Sequence, residues 1–404
     1  FERFNRPLAL GFESSANALD LDPNSITRVE QLAQGYGLDF GRTSAYTRAN
    51  PKRNLFGRID FQITPQHRLS VKHKYDAADD DDGPTRGGGF FEPESATYDF
   101  VSSTHTSVVQ LFSRVGNWSN EVLATAQFVR DERAPADAFR YSTIQVDVPD
   151  DVINSGARIR FGAERFSHAN RLDQNIFQIT NNLTGSFGAH RPTLGVNFER
   201  YDFFNLFADR SLGEYNFDSV EDLQSGSAQF YAIRLPHPSL GGGIEEAAGE
   251  FAYNKLGVYA QDEYQVDDRL TLTLGVRLDV PTTSDTPREN LQFDSAFGFP
   301  TSQAPSGNLL LQPRLGFNFQ PDLDTRTQIR GGVGIFAGRP PFVWVANAFG
   351  NTGRETLELR CTDANTPTFD PNAPPTSCAD GAGPSAARAS IAVVDPDFKV
   401  PQEL

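Results

Sequence analysis

The 404 residues contain no methionine, two cysteines and two tryptophans, and 36 Lys and Arg stand against 52 Asp and Glu. Each shortage closes off a class of protein. A chain that begins at Phe1 and holds no Met reads as an internal piece of a longer protein rather than a complete open reading frame. A formal charge of -16 without any basic stripe argues against nucleic-acid binding, because affinity for a phosphate backbone comes from Lys and Arg that release counterions. The sequence has no run of about 18 apolar residues, so a transmembrane helix is excluded. The histidines His67, His73, His105, His168, His190 and His237 lack the paired spacing of zinc ligands and read as turn and surface residues. No nucleophile, base and acid can be assembled into a set, and no enzyme is expected.

What is present is β structure. Gly 34, Phe 33 and Tyr 11 describe a chain rich in strand formers and turn residues. In "LTLTLGVRLDV", Leu270, Leu272, Leu274, Val276, Leu278 and Val280 alternate with Thr271, Thr273, Gly275, Arg277 and Asp279, which makes one apolar and one polar face. The same alternation runs through "NLFGRIDFQI" from Asn54, "RLSVKHKYD" from Arg68, "NEVLATAQF" from Asn120, "TLGVNFE" from Thr193, "LLLQPRLGFNF" from Leu309 and "TQIRGGVGIFA" from Thr327. Short polar connections at 64–67, 116–119, 188–191, 266–268 and 321–324 take turns with long ones near 77–97, 131–172, 205–249, 281–307 and 338–404. The long ones carry the punctuation of exposed loops, as in "AADDDDGPTRGGG" and "PNAPPTS".

Short turns at one end and long loops at the other suit an outer-membrane barrel, whose periplasmic turns are short and extracellular loops long. In hydrocarbon every backbone polar group must be paired, so strands survive there only in a closed barrel. The predicted fold is all-β, a transmembrane antiparallel barrel, with about ten spanning strands across 54–337. Residues 1–53 are then an outer loop segment with a short helix near 27–34, and 338–404 another outer loop, all within one partial barrel domain. In that helix Ile26, Val29 and Leu32 share a face, Thr27 and Glu30 have the spacing of a capping box, and Gly35 is the stop. The stretch "ARIRFGAERFS", 157–167, has strand composition and is placed as a hairpin within an outer loop. The competing picture is a large soluble β-protein, such as a surface adhesin, with one solvated face.

The polar faces supply the candidate site residues. Arg58, Asp60, Lys255, Tyr259, Gln261, Glu263, Arg277, Asp279, Arg314 and Arg330 all fall on the side predicted to line the lumen. Asp79, Asp80, Asp81 and Asp82, with Asp76 just ahead, gather hard oxygen ligands of the kind calcium takes. The spacing is not that of an EF-hand loop, and a merely solvated acidic loop stands beside a Ca2+ site as the reading. At the outer leaflet such a rim would also meet lipopolysaccharide phosphates through bridging divalent ions. Cys361 and Cys378 flank a loop rich in Pro, Asp and Thr and are expected to form a disulfide, which implies an oxidising compartment. "GVGIFA", Gly332 to Ala337, fits the dinucleotide fingerprint in letters alone, because it sits in a strand and opens no helix. Phe342, Trp344 and Phe349 are read as an aromatic girdle or loop-packing collar at the outer rim, the other reading being a ligand-facing loop.

One motif says more than periodicity does. "GVYAQDEYQVDDRLTLTLGVRLDVP", Gly257 to Pro281, closely resembles the mid-barrel signature of TonB-dependent outer-membrane receptors: a Tyr-x-Gln-Asp strand, a short turn, a Leu-Thr-Leu strand and Gly-x-Arg-x-Asp. "NLFGRIDFQITPQHRLSVKHKY", "IFQITNNLTGSFGAHRPTLGVNFE", "LQPRLGFNF" and "GVGIFAGRPPFVWVANAFGNTG" resemble the Oar-like branch, whose members carry a carboxypeptidase-regulatory-like domain. The resemblance covers most of 40–353. It implies a receptor in the bacterial outer membrane, for uptake or export of a ligand, with about 22 strands, an N-terminal plug in the lumen and a TonB box that draws energy from the inner membrane. No plug, TonB box or closing aromatic strand is found here, so the chain reads as the middle of such a barrel. Expected partners are outer-membrane lipid and lipopolysaccharide, the plug, TonB and a scarce ligand (oligosaccharide, peptide, protein or metal chelate); no nucleotide cofactor is expected. The alternative within membranes is a passive porin-like barrel without a plug.

Overall fold

A computed structural model describes residues 21–43, 50–82, 90–151, 153, 156–321, 327–386 and 390–404, with the backbone alone for 81 and 82. In chain order the strands are β1 (Lys52–Thr64), β2 (His67–Asp82), β3 (Phe90–Phe91), β4 (Tyr98–Val115), β5 (Trp118–Ala134), β6 (Thr143–Val148), β7 (Ala157–Phe161), β8 (Asn170–Gly185), β9 (His190–Phe207), β10 (Glu214–Phe217), β11 (Phe230–Pro236), β12 (Gly249–Gln265), β13 (Leu270–Thr283), β14 (Leu310–Phe319), β15 (Ile329–Gly334), β16 (Phe336–Ala337), β17 (Thr356–Thr362) and β18 (Gln402–Glu403). The helices are α1 (Pro23–Gly35), α2 (Val220–Ser225), α3 (Leu291–Phe297) and α4 (Phe342–Gly350).

Ten strands form one antiparallel meander in the order β1-β2-β4-β5-β8-β9-β12-β13-β14-β15. Register aligns the apolar faces: Ile59, Val71, Val109, Ala124, Ile179, Phe198 and Leu256 lie side by side across consecutive strands. They bury little of themselves against this chain. Leu194, Val196 and Phe198 are 51%, 41% and 40% exposed, and the belt continues through Leu274, Val276, Leu311 and Leu315. A wall whose one face is a continuous exposed apolar band is the transmembrane β architecture, which takes hydrocarbon as its solvent. At the short-turn end Trp118 packs edge-on against Phe187 and His190 stacks on Tyr264, an aromatic rim where a girdle belongs.

Several strands outrun the belt. β4 and β9 have 18 residues each, whereas about 9–11 tilted residues cross a bilayer. Beyond the belt the same outward face turns charged, with Arg130 near Asp173, Arg171 3.5 Å from Asp173, and Arg200 2.6 Å from Asp202. The strands therefore stand above the apolar zone as stalks. This corrects the expected acidic loop at 76–82. Asp79 pairs with Val101 and Asp82 with Tyr98 along β2 and β4, so the run is strand and its successive residues face opposite ways.

The long connections are not loose. Segments from four of them build a six-stranded sheet, β17-β11-β10-β6-β7-β3, in which β10 lies parallel to β6 and β3 parallel to β7. Its core is that of a water-soluble domain: Val29 of α1, Ile144 and Val146 of β6, Ile159 and Phe161 of β7, Tyr215 of β10, Leu223 of α2 and Tyr231 of β11 are at most 1% exposed. Phe369 sits edge-on against Tyr215 and Phe217, and Cys361 and Cys378 are bridged, their Cα atoms 5.6 Å apart. We call this assembly the cap and the ten-stranded meander the wall.

Three further expectations change. α1 starts at Pro23 under an Asp22 cap that accepts from Asn24 N–H, so Thr27 and Glu30 are interior residues and no capping box forms. The 157–167 stretch does lie in a hairpin, β7 pairing with β6, and what changes is that both strands join the cap sheet. His168 is a buried cap residue. Leu212 N–H donates to its Nδ1 at 3.1 Å and its Nε2 lies 3.1 Å from the Ala163 carbonyl, an arrangement that fits a neutral ring; burial lowers its pKa to about 4. Residues 1–20, 44–49 and 322–326, where part of the first segment and of the last short turn was expected, lie outside the described residues.

Candidate site on the inner wall

The face opposite the apolar belt is polar because the strand period is two, and most of the lumen-side candidates lie on it. Where β9, β12, β13 and β14 run together, Lys255, Tyr259, Arg277, Asp279 and Arg314 line one concavity of about 350 Å³ with Asn197, Glu199 and Gln312. Its charges interlock. Glu199 Oε2 accepts from Tyr201 Oη at 3.1 Å, and lies 3.4 Å from Lys255 Nζ and 3.2 Å from Arg339 Nη2. Arg277 Nε donates to Asp279 at 2.8 Å, and Gln312 Nε2 donates to the other Asp279 oxygen at 2.8 Å. Glu199 and Asp279 are 5% and 3% exposed, so both depend on these partners for the solvation they have lost.

Glycine opens the surface where this network lies flattest. A Cβ at Gly195 would stand 2.1 Å from the Tyr259 ring, so only glycine lets Tyr259 lie across β9, where its hydroxyl donates to Asn182. The Arg277 guanidinium stands 5.2 Å over that same ring. Arg314 has no ion pair among the described residues and lies 4.9 Å over Phe336.

Other candidates lie apart from this cluster. Arg58 and Asp60 pair with each other at 2.8 Å on β1, the outermost strand. Glu263 is 3.6 Å from Arg191 toward the short-turn end, Gln261 faces a neighbouring hollow beside Gly275, and Arg330 is exposed on the opposite outermost strand. Asp76 is held 2.9 Å from Lys74. Asp79 and Asp80 form no gathered acidic group among the described residues, and the side chains of Asp81 and Asp82 lie outside them.

Beside this site lies α4, whose aromatic residues sequence reasoning preferred to place at the rim. Phe342 and Phe349 do not form an outer girdle, because α4 folds inward onto the polar face. Val345, Ala346 and Phe349 pack on Tyr201, Phe203, Phe251 and Tyr253, all on the lumen side of β9 and β12. Phe349 stacks on Phe251 at 5.0 Å, and Phe342 meets Tyr201 and Tyr253 at 5.0 and 5.1 Å. Trp344 alone of the three aromatics points to solvent, 75% exposed. Arg339, two residues before the Pro341 cap, ties the approach of α4 to Glu199. Glu199 and Gln312 were legible as polar-face residues; nothing in their spacing announced that Arg339 would reach back to them.

Residues 23–403 match the family model described as outer membrane beta barrel domain. Among solved structures, the outer membrane transporter YddB from Escherichia coli is similar with a TM-score of 0.54 at 10% identity, over 83% of this chain and 37% of that one. The ferric-catecholate import receptor Fiu from E. coli K12 follows at a TM-score of 0.46 and 16% identity, covering 80% of this chain and 49% of its own. The FrpB iron transporter from Neisseria meningitidis has a TM-score of 0.46 at 12% identity, with 81% and 46% covered. The chain thus spans between about a third and a half of the structures it resembles. Among curated proteins, none is significantly similar in sequence.

Proposed function

The chain belongs to the outer membrane beta barrel domain family, and on that premise we propose that it is the wall and cap of a TonB-dependent receptor of the Oar-like branch that takes up a scarce ligand with energy from the inner membrane. The observation that carries this reading is the inward fold of α4 onto the polar face of β9 and β12, beside the charged concavity around Glu199 and Asp279. A helix packed on the inner wall narrows the lumen, and a receptor needs an obstructed lumen and a polar, partly buried surface for a plug or ligand to meet. Two features support a larger barrel. The wall has one neighbour each for β1 and β15 among the described residues, and backbone left unpaired in hydrocarbon costs several kcal/mol per group by general estimates, so further strands are needed for closure. Neighbours such as YddB are themselves more than twice as long as the stretch matched. The reading assigns no catalysis to the chain.

The test is electrical. The complete protein, reconstituted in planar bilayers, is expected to give no steady conductance, because plug and α4 obstruct the lumen. Steady ohmic pores from every inserted molecule would replace the receptor reading by the passive porin.

A further inference from the structure

A second cavity, of about 310 Å³, lies in the seam between cap and wall, away from the Glu199 concavity. Its floor is the top of the wall: Tyr98 at the start of β4 and Arg133 near the end of β5, both on the lumen-side face by register. Its roof is the cap: Arg160 at the end of β7 and the turn that follows, Glu164 to Phe166, with Glu92 behind.

Three arginines meet Glu92 and Glu164 on the cavity wall and Glu214 behind Arg165, and the arginines are pinned without being used up. Arg133 lies 3.7 Å over the Tyr98 ring, donates from Nε to Ser167 Oγ at 2.7 Å and from Nη2 to Glu164 at 2.7 Å. Arg160 stands 3.9 Å over Phe90 and donates from Nε to Glu92 at 2.8 Å, which leaves its two terminal nitrogens without a protein acceptor among the described residues. Arg165 gives Nη1 to Glu214 at 3.3 Å, while its Nε is buried with no hydrogen-bond partner. A guanidinium carries five N–H donors in a fixed fork, and a buried donor without an acceptor is costly. Stacking on Tyr98, Phe90 and Phe166 fixes the planes of the forks before any ligand arrives.

We infer that this seam is a binding site for a small ligand bearing an oxyanion, a carboxylate or a phosphate, held by the forks of Arg160 and Arg165 with Arg133 as a supporting charge. The chemistry follows from guanidinium donors in excess of the acceptors that meet them. Glu92 sets the site's balance. Desolvation raises its pKa to about 7, with Arg160 opposing and Glu164 reinforcing the rise, and Arg133 and Arg165 complete the charges around it. Below that pH the carboxyl is neutral and the lining gains a positive charge.

The experiment is calorimetric titration of the detergent-solubilised complete protein with inorganic phosphate and with glucuronate, glucose serving as the neutral control. The expected result is binding of at least one anion and none of glucose. Phosphate alone identifies a phosphate-bearing ligand, and glucuronate alone a carboxylate. Arg165→Lys, which keeps the charge opposite Glu214 but removes the fork, is expected to weaken binding about tenfold or more. Glu92→Gln is expected to bind more tightly than the parent at pH 8, a gain that misfolding cannot imitate. Absence of binding by both anions at millimolar concentration, or affinities that neither substitution changes, overturns the proposal.

Discussion

The segments "TIQVDV" of the cap and "TLGVNF" of the wall obey the same alternation and meet opposite fates. Ile144 and Val146 are fully buried, whereas Val196 and Phe198 remain 41% and 40% exposed. Both are strands because alternating apolar residues suit a pleated surface. The pattern is silent about the medium that receives the apolar face. β6 turns its apolar face onto other cap segments, while the face of β9 that carries Val196 and Phe198 meets no other segment among the described residues and is left for lipid. The cap is thus a water-soluble solution grafted onto the rim of a membrane solution, and the charged stalks around Arg130, Arg171 and Arg200 are where one solvent gives way to the other.

Reciprocal substitutions give the sharpest way to break that comparison. Ile144→Asp places an unpaired charge in a dry core and is expected to cost more than about 4 kcal/mol, unfolding the cap. Limited proteolysis should then cut within 140–168 and 209–235, while heat-modifiable migration on gels, the mark of an intact barrel, persists. Val196→Arg should do the reverse, costing about 2–4 kcal/mol at mid-belt and impairing insertion. If Ile144→Asp abolishes heat modifiability as well, cap and wall are one cooperative unit and the contrast is only geometric.

How much of this was legible in sequence follows from the range of each signal. Strand period is local, so the faces of β1, β2, β9, β12, β13, β14 and β15 could be read from a few residues each, and short turns alternating with long loops gave the meander. The cap depends on pairing between β6, β7, β10, β11 and β17, which come from connections up to some two hundred residues apart, and no segment names its partner. "FVWVANAFG" was visibly apolar, yet only the aromatic ledge of Tyr201, Phe203, Phe251 and Tyr253 decides that α4 turns inward. His168 was misplaced for the same reason: its acceptor and donor, Ala163 and Leu212, are turn residues without a pattern.

A smaller effect separates the regions by pH, because the identified shifts of Glu92 and His168 lie in the cap. Glu92 has a pKa raised from 4.5 to about 7, so its contribution to stability is full below pH 4.5 and is lost as pH rises through 7. His168 is depressed from 6.5 to about 4, so its contribution is present above pH 6.5 and is lost as pH falls through 4. Between pH 7 and pH 5 the two nearly cancel, each moving by about 2 kcal/mol in opposite directions. Cap stability is therefore expected to be flat over that window in the parent. In Glu92→Gln it should drop by about 2 kcal/mol on acidification, read as protease resistance at the two pH values. Equal acid sensitivity in parent and variant would remove Glu92 from the account.

The smallest effect concerns α4 on the inner face of the wall. Glu199 holds Lys255, Arg339 and Tyr201 through one oxygen, but Arg339 is 53% exposed and solvent screens its part of the pair. The aromatic contacts of Phe342 and Phe349 remain whatever happens to the charge. Glu199→Gln should therefore loosen α4 by only about 1–2 kcal/mol, read as faster amide exchange in 342–350 with exchange in β6 and β7 unchanged. If exchange in α4 stays at the parent's rate, the ledge alone seats the helix, and Glu199 is left free for whatever enters the lumen.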